Sequence, residues 1–515
     1  MALATVHGVV LDGVEGVMVR VEVCVSDGLP SVGIVGLPDT AVTEARWRVR
    51  GAVESSGRMW PQRRITVSLS PAEMRKHGAG LDLPIAVGVL AANGAIASDL
   101  LAGTALIGEL GLDGSLRPSH GMLAAVLAAR HSGCASVVVP VHGSRELEEI
   151  PGVTVRRAAT LSEVCAILEG ESAGDAPAVG EAYPGSVSAD GAALEVPDLA
   201  DVRGHQVARW ALEVAAAGGH HVALVGPPGV GKTLLAERMP GILPRLRDED
   251  AWEVAAIHSV AGRGRPRAEL CVPPLSAPHH SASAAAVLGS LRAGRVIPGA
   301  VTLAHRGVLF LDEAAEFVRP ALEGLRQPLE SGRVALARTG WSGVLPARFQ
   351  LVLAANPCPC GQRVGTGAGC SCAPAAVRRY AARLSGPLLD RIDIRVALSR
   401  PSQAELDGVA APEASAVVQQ RVVTARDRMR HRLADTPWDC NAEIPTGPLR
   451  RQWPPAADAA RLLQDFERSS ANLRGVDRVL RMAWTLADLA GAPRPQADHV
   501  AGALGLRGAH TGLAP

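Results

Sequence analysis

Three patterns of apolar and polar positions divide this chain. Over residues 1–168 short alternating runs, Val17–Val23 and Arg64–Leu69, carry the period of half-buried strands, and alanine-rich stretches such as Leu83–Asn93 read as helices. The mixture predicts an α+β domain. Residues 169–198 lose all period and turn rich in Gly, Ala, Ser, Pro and acid, which predicts a flexible linker long enough to let the first domain move. Over residues 199–400 the pattern becomes short unbroken apolar runs, His221–Val225, Gly307–Leu311 and Gln350–Ala355, as expected of buried strands. In residues 401–515, Val417–Leu433 and Ala456–Glu467 place apolar residues on one face between arginines, predicting a helical lid.

A length of 515 residues supports three or four such units and leaves burial unlimited. The net charge of +1 gives no global attraction to nucleic acid or anionic membrane, so any DNA contact has to come from a local patch or an assembled ring. Four Phe and two Tyr beside eight Trp make aromatics only 3% of the chain, which argues against base stacking as a broad mode of recognition. No stretch of about 18 apolar residues is present and Met1–Gly8 has no signal-peptide pattern, so a cytoplasmic protein without membrane contact is expected. The nine cysteines do not resemble a secreted disulfide framework.

The chemistry concentrates in Gly226-Pro227-Pro228-Gly229-Val230-Gly231-Lys232-Thr233, which fits G-x-x-x-x-G-K-[ST] between a strand-like run and the helix-like Leu234–Met239. In that context the loop amides and the following helix terminus cradle phosphates, Lys232 reaches the β and γ oxygens, and Thr233 ligates Mg²⁺. Lys232 and Lys76 are the only lysines among 52 basic residues, so a compact point charge stands where phosphates need one. Downstream, Gly307-Val308-Leu309-Phe310-Leu311-Asp312-Glu313 is an apolar strand tipped by two acids. Asp312 is the expected Mg²⁺ ligand and Glu313 the group that polarises the attacking water.

With the strand Gln350–Ala355 ending in Asn356, this order of motifs resembles the AAA+ P-loop ATPases. The resemblance implies that Asn356 is the sensor-1 residue, although an Asx turn before Pro357 is also open to it. It implies that Arg391, just before a strand, acts on the γ-phosphate of a neighbouring subunit; a surface pair with Asp390 or Asp393 is the alternative. Arg474, in a segment similar to the sensor-2 helix of magnesium-chelatase modules, becomes a γ-phosphate contact, with Arg478 as the second candidate and a solvent-facing helix charge as the alternative for each. Residues 76–84 and 108–129 resemble the Lon-type proteolytic domain. The Ser–Lys pair is missing, because the nucleophile stretch reads Gly-Ala-Gly-Leu-Asp-Leu and the lysine stretch Gly121-Met122-Leu123-Ala124-Ala125, so no activated serine is expected. The fold expected is an α/β multidomain protein with an S5/Lon-like front, an AAA+ core and a helical lid. Lys76 is expected to be solvated.

Ala215–His221, Pro278-His279-His280-Ser281, Leu325–Gly332 and Asn356–Gly361 complete a resemblance, over nearly the whole chain, to the ComM/YifB family of magnesium-chelatase-like AAA+ proteins. That resemblance implies ATP and Mg²⁺ as cofactors, a homohexameric ring, DNA as partner and branch migration in recombination or natural transformation, with recombination proteins as further partners. The alternative is a magnesium-chelatase-like or MoxR-like protein-remodelling ATPase; the chain holds no D-x-S-x-S metal-adhesion motif.

Two features remain. An insert between Ala255 and Ala304 carries Arg263, Arg265, Arg267, Arg292 and Arg295, and Gly332–Arg338 with Ala347–Gln350 looks like a hairpin; their arginines could grip phosphates in a ring pore or pair with acids at subunit contacts. His279-His280 after Pro278 reads as a turn. Finally, Cys358, Cys360, Cys370 and Cys372 form C-x-C…C-x-C, able to close a structural Zn²⁺ site, with reduced thiols or a redox disulfide as the alternative.

Overall fold

The computed structural model describes residues 2–143, 147, 150–170, 196–292, 295–338, 341–363, 369–384, 386–403, 405, 412–469 and 473–508. Most of the linker predicted at 169–198 lies outside them.

The front of the chain is a seven-stranded mixed sheet in the order Ser31–Val35, Arg64–Ser70, Glu15–Ser26, Ala2–Asp12, Thr104–Leu106, Ser136–Pro140, Thr154–Ala158. Its two longest strands, Ala2–Asp12 and Glu15–Ser26, pair antiparallel around a tight turn. Val19, Val21, Val23 and Val25 face the core, which accounts for the alternation in the sequence. Every residue of helix Asp82–Ala92 is buried, so that helix shows no amphipathic stripe. Lys76 is not solvated: it is fully buried, its ammonium donating to the carbonyls of Pro71 and Met74. Asp82, in the stretch corresponding to the protease nucleophile, is held bidentately by Arg48 at 2.7 and 2.9 Å.

The central unit is a five-stranded parallel sheet. In chain order its strands are Val222–Val225, Leu275–Ser276, Val308–Leu311, Gln350–Ala355 and Ile394–Ala397, arranged fifth, first, fourth, third, second. The first, third and fourth are buried at every residue, hence their unbroken apolar runs. One apolar core runs from this unit into the front domain, with Met122–Ala129 and Ala255–Val260 in the same cluster and helix Met122–His131 against helix Asp248–Val260. The front domain is therefore packed against the central unit, where the linker composition alone suggests free movement.

The sheet-flanking hairpin differs in its second arm. Arg333–Arg338 pairs with Trp341–Pro346, while Gln350 begins the fourth core strand. The proline at 346 and the irregular stretch Ala347–Phe349 separate the two.

Ser415–Arg432 lies along helix Gln206–Gly218, fastened by Arg421 to Glu213 (2.6 and 3.0 Å) and Arg426 to the Ala216 carbonyl (2.8 Å). Leu473–Ala490 crosses the amino ends of the first and fifth strands. There His220 bridges Asp393 (3.1 Å) and Thr485 (2.8 Å). Arg478 stands 3.7 Å from Asp393 and donates to the Ile392 carbonyl, so it is a mostly buried structural cation rather than a solvent-facing charge. Burial works against the charge on Asp393, but His220 and Arg478 hold its carboxyl well below the usual range.

Candidate functional site

In a parallel sheet the loops after the strands gather at one edge, which is where α/β proteins bind ligands. The loops after the first, third and fourth strands bring the predicted residues together there. Gly229 and Gly231 take left-handed backbone angles (φ +72° and +95°) that let the loop curl back on itself. Lys232 is buried inside that curl and donates to the carbonyls of Gly226 (2.7 Å) and Pro227 (2.9 Å) and to Asn356 Oδ1 (3.0 Å). Burial lowers its pKa, while Asp312 and Glu313 oppose that shift.

Thr233 Oγ1 donates to Asp312 Oδ2 at 2.8 Å, and Asp312 Oδ1 accepts the Glu313 amide at 2.8 Å. A hydroxyl and a carboxylate oxygen in contact are a donor set suited to a hard cation such as Mg²⁺. The open space above Gly229, where a Cβ would touch nothing within 4 Å, suits a phosphate chain. The residues present therefore fit Mg²⁺ and a nucleoside triphosphate.

Glu313 is one of few non-glycine residues with a left-handed backbone (φ 49°), a strain that turns its carboxylate out of the strand. Its Oε2 is met at 3.0 Å by His280 Nδ1. His279 makes the expected turn through its 2.7 Å contact with Ser281 Oγ, but His280 reaches the acid, and nothing in its spacing announces this. His205, also left-handed (φ 52°), sits beside the phosphate loop at Val230, a second residue that no motif in the sequence marks.

Arg391 and the helix that carries Arg474 lie apart from this cluster. Arg391 precedes the fifth strand at its amino end, and its guanidinium pairs with Glu330, not with Asp390 or Asp393. Arg474 opens helix Leu473–Ala490, whose next turn contacts Ile392 at that same end. Neighbouring parallel strands put the phosphate loop at the opposite edge, so Arg391 and the Leu473–Ala490 helix stand across the sheet from the phosphate loop of their own chain. Of the insert arginines, Arg265 is occupied in holding the carbonyls of Glu269 and Val272 (2.9 and 2.7 Å) and is not available to a phosphate.

The four cysteines do converge. Their sulfurs lie within 4.8 Å of one another, with Cys358–Cys360 at 3.4 Å, Cys358–Cys370 at 3.6 Å and Cys360–Cys370 at 3.7 Å. Hydrogen bonding from the Gln362 backbone, then from the neighbouring thiols, pulls Cys360 down to about 6, while burial pushes Cys358 up and Cys372 is raised to about 12, so without an ion the first proton leaves from Cys360. Where the front domain meets the central unit, the stretch resembling a protease site lines a cavity of about 180 Å³ with Asp39, His77, Glu109, Ser119 and His120, closed by Arg295 of the central unit. Lys76, that domain's only lysine, is engaged elsewhere. No helix among the described residues is long and apolar enough to cross a membrane.

Three family models match the chain: "Magnesium chelatase, subunit ChlI" over residues 198–406, "Subunit ChlI of Mg-chelatase" over 21–143, and "Magnesium chelatase, subunit ChlI C-terminal" over 412–507. An uncharacterized protein of Mycobacterium tuberculosis is 47% identical over 509 residues, covering 98% of this chain and 99% of the relative. The uncharacterized protein YifB of Escherichia coli is 39% identical over 95% of this chain and 94% of its own. The competence protein ComM of Haemophilus influenzae is 37% identical over 98% of both. With these matches end to end and an ordered phosphate-loop site beneath them, the chain belongs to the YifB/ComM family of magnesium-chelatase-like AAA+ ATPases.

Proposed function

We propose that the protein is an ATP-driven ring motor that acts on DNA, moving branch points or unwinding strands in recombination or DNA uptake. The observation that carries the ring is the division of the site. Lys232, Thr233, Asp312, Glu313 and Asn356 gather at one edge of the sheet, while Arg391 and the helix bearing Arg474 stand at the other. A head-to-tail neighbour places those arginines at the next chain's phosphates, and repetition closes a ring, most simply a homohexamer.

Bound Mg·ATP would supply the electrophilic γ-phosphoryl group. Around it, Lys232 and the loop amides hold the phosphates, and Thr233 and Asp312 hold the cation. Glu313 accepts the proton of the attacking water and Asn356 orients that water. Arg391 from the neighbour neutralises the charge that builds on the phosphoryl oxygens, an effect of about 10³ to 10⁵ in rate for arginine fingers. Zinc is the metal proposed for the four cysteines.

DNA as the substrate draws support from the competence role in the Haemophilus relative's name and from exposed arginines on two hairpins, Arg292 and Arg295 on the antiparallel pair Gly289–Arg292 and Arg295–Pro298, and Arg333 on the pair Arg333–Arg338 and Trp341–Pro346. Branch migration of a synthetic four-way junction, compared with Glu313→Gln, tests it. Junction movement that needs ATP and is lost in the variant supports the motor. A pure, hexameric, ATP-hydrolysing protein that moves no DNA would turn the reading to protein remodelling.

A further inference from the structure

The four-cysteine loop is joined to the phosphate loop at two points. On its amino side the chain runs from Asn356, the acceptor for Lys232 Nζ, through Pro357 into Cys358, which is buried. On its other side Gly361 turns back with φ +74°, its amide donating to the Cys358 carbonyl at 2.9 Å. A Cβ on Gly361 would lie 2.5 Å from Cδ and 2.9 Å from Cγ of Pro228, the third residue of the phosphate loop. That approach leaves no room for a side chain. Gly361 sits one residue after Cys360, so whatever fixes the sulfurs also fixes this backbone against Pro228.

The sulfurs are spaced for a metal. Zn–S bonds of about 2.3 Å in a tetrahedron put the sulfurs roughly 3.8 Å apart. Three of the pairs, at 3.4, 3.6 and 3.7 Å, approach that spacing. None approaches the ~2.05 Å of a disulfide. Four protein ligands leave no open position, which is the pattern of a structural rather than a catalytic ion.

We propose that this loop is a zinc clamp on the phosphate loop: Zn²⁺ held by Cys358, Cys360, Cys370 and Cys372 seats Gly361 on Pro228 and Asn356 on Lys232, so that metal occupancy sets the affinity for ATP. The proposal rests on the reading of Gly226–Thr233 as an ATP site. Without the ion only weak thiol hydrogen bonds join the sulfurs, so the turn is freer to open, and nucleotide binding has to order it again. Coupling between two sites is reciprocal, so ATP tightens zinc by the same factor that zinc tightens ATP.

The test uses the full-length protein, a fluorescent ATP analogue with Mg²⁺, and zinc measured by plasma mass spectrometry. Wild type is expected to carry one zinc per chain and to bind the analogue, with Lys232→Ala as the non-binding control. Cys370→Ser with Cys372→Ser is expected to lose the zinc and weaken analogue binding about tenfold, within the usual range of coupling between sites. Gly361→Ala separates the clamp from the fold: it is expected to keep the zinc and still bind the analogue several-fold more weakly. It carries the test alone if the cysteine variant does not fold.

A wild-type protein without zinc, or Gly361→Ala binding the analogue as wild type does, would overturn the clamp while leaving the ATP site standing. A wild type that binds no analogue would overturn both. Competition for zinc with a chromophoric chelator is expected to show tighter zinc when the analogue is present; equal affinity with and without it would also overturn the coupling.

Discussion

At the residue scale, the proposed chemistry depends on how Glu313 is held. Its left-handed backbone lifts the carboxylate from the end of a buried strand, and His280 meets it at 3.0 Å. Glu313→Gln is expected to reduce ATP turnover by about 10²-fold or more, the usual contribution of a positioned base. Nucleotide titration of the same variant should show unchanged binding. His280 touches the acid rather than the phosphates, so His280→Ala is expected to lower kcat by about tenfold, less than loss of the base itself. Steady-state hydrolysis with a parallel nucleotide titration checks this: an unaltered kcat would remove His280 from the site. The phosphate loop is legible in the sequence because its eight residues are contiguous and their spacing is dictated by the phosphates. His280 is not, because its partner lies 33 positions away and only the sheet brings the two together.

At the scale of elements, the pair Gly218-Gly219 explains how the C-terminal helices are seated. A Cβ on Gly218 would stand 2.2 Å from His220 Nε2 and 2.3 Å from Thr485 Oγ1, and one on Gly219 would stand 2.5 Å from Cys440 Sγ. Gly218→Ala is therefore expected to displace the His220–Thr485 hydrogen bond and to destabilise the protein by about 1–3 kcal/mol, as overpacking does. Thermal unfolding measures it, and an unchanged Tm would show that the helix seat gives way freely. The hairpins bear on the proposed binding of DNA. Arg292 and Arg333 are exposed at their strand ends. Replacing both with Ala is expected to weaken single-strand binding and to reduce the salt slope by about two, one for each phosphate that an arginine no longer neutralises. An unchanged slope would place DNA elsewhere on the ring.

At the scale of the whole molecule, a site divided between subunits predicts complementation. Lys232→Ala and Arg391→Ala should each be inactive alone. In mixed rings, however, some sites pair an intact phosphate loop with an intact arginine, so mixing the two is expected to restore part of the hydrolysis; no recovery in confirmed mixed rings would place Arg391 outside the site. Acid stability gives a second whole-molecule expectation. Burial pushes His221 and His258 down to about 4, against about 6.5 in the unfolded chain. A depressed folded value means that the unfolded state takes up protons first. This contribution is fully present above pH 6.5 and is lost as the pH falls toward 4. Tm measured from pH 7 to 5, above most carboxylate titration, is expected to fall steadily, and a flat profile would contradict it.

The sequence by itself determined the class of the fold and the inner half of the site. Strands buried on both faces must be unbroken apolar runs, half-buried strands must alternate, and a loop that wraps phosphates needs glycines and a lysine at fixed offsets. Each of these constraints is local, so it is written in neighbouring residues. Tertiary structure alone decided where the C-terminal helices lie, that Lys76 is buried, that Arg265 is spent on carbonyls, and that Arg391 and the helix of Arg474 stand across the sheet from the phosphate loop. It also decided that His280 reaches Glu313 and that the cysteine loop rests on Pro228. These depend on the order of strands in the sheet and on the meeting of segments far apart in the chain, for which helical period and residue spacing carry no signal.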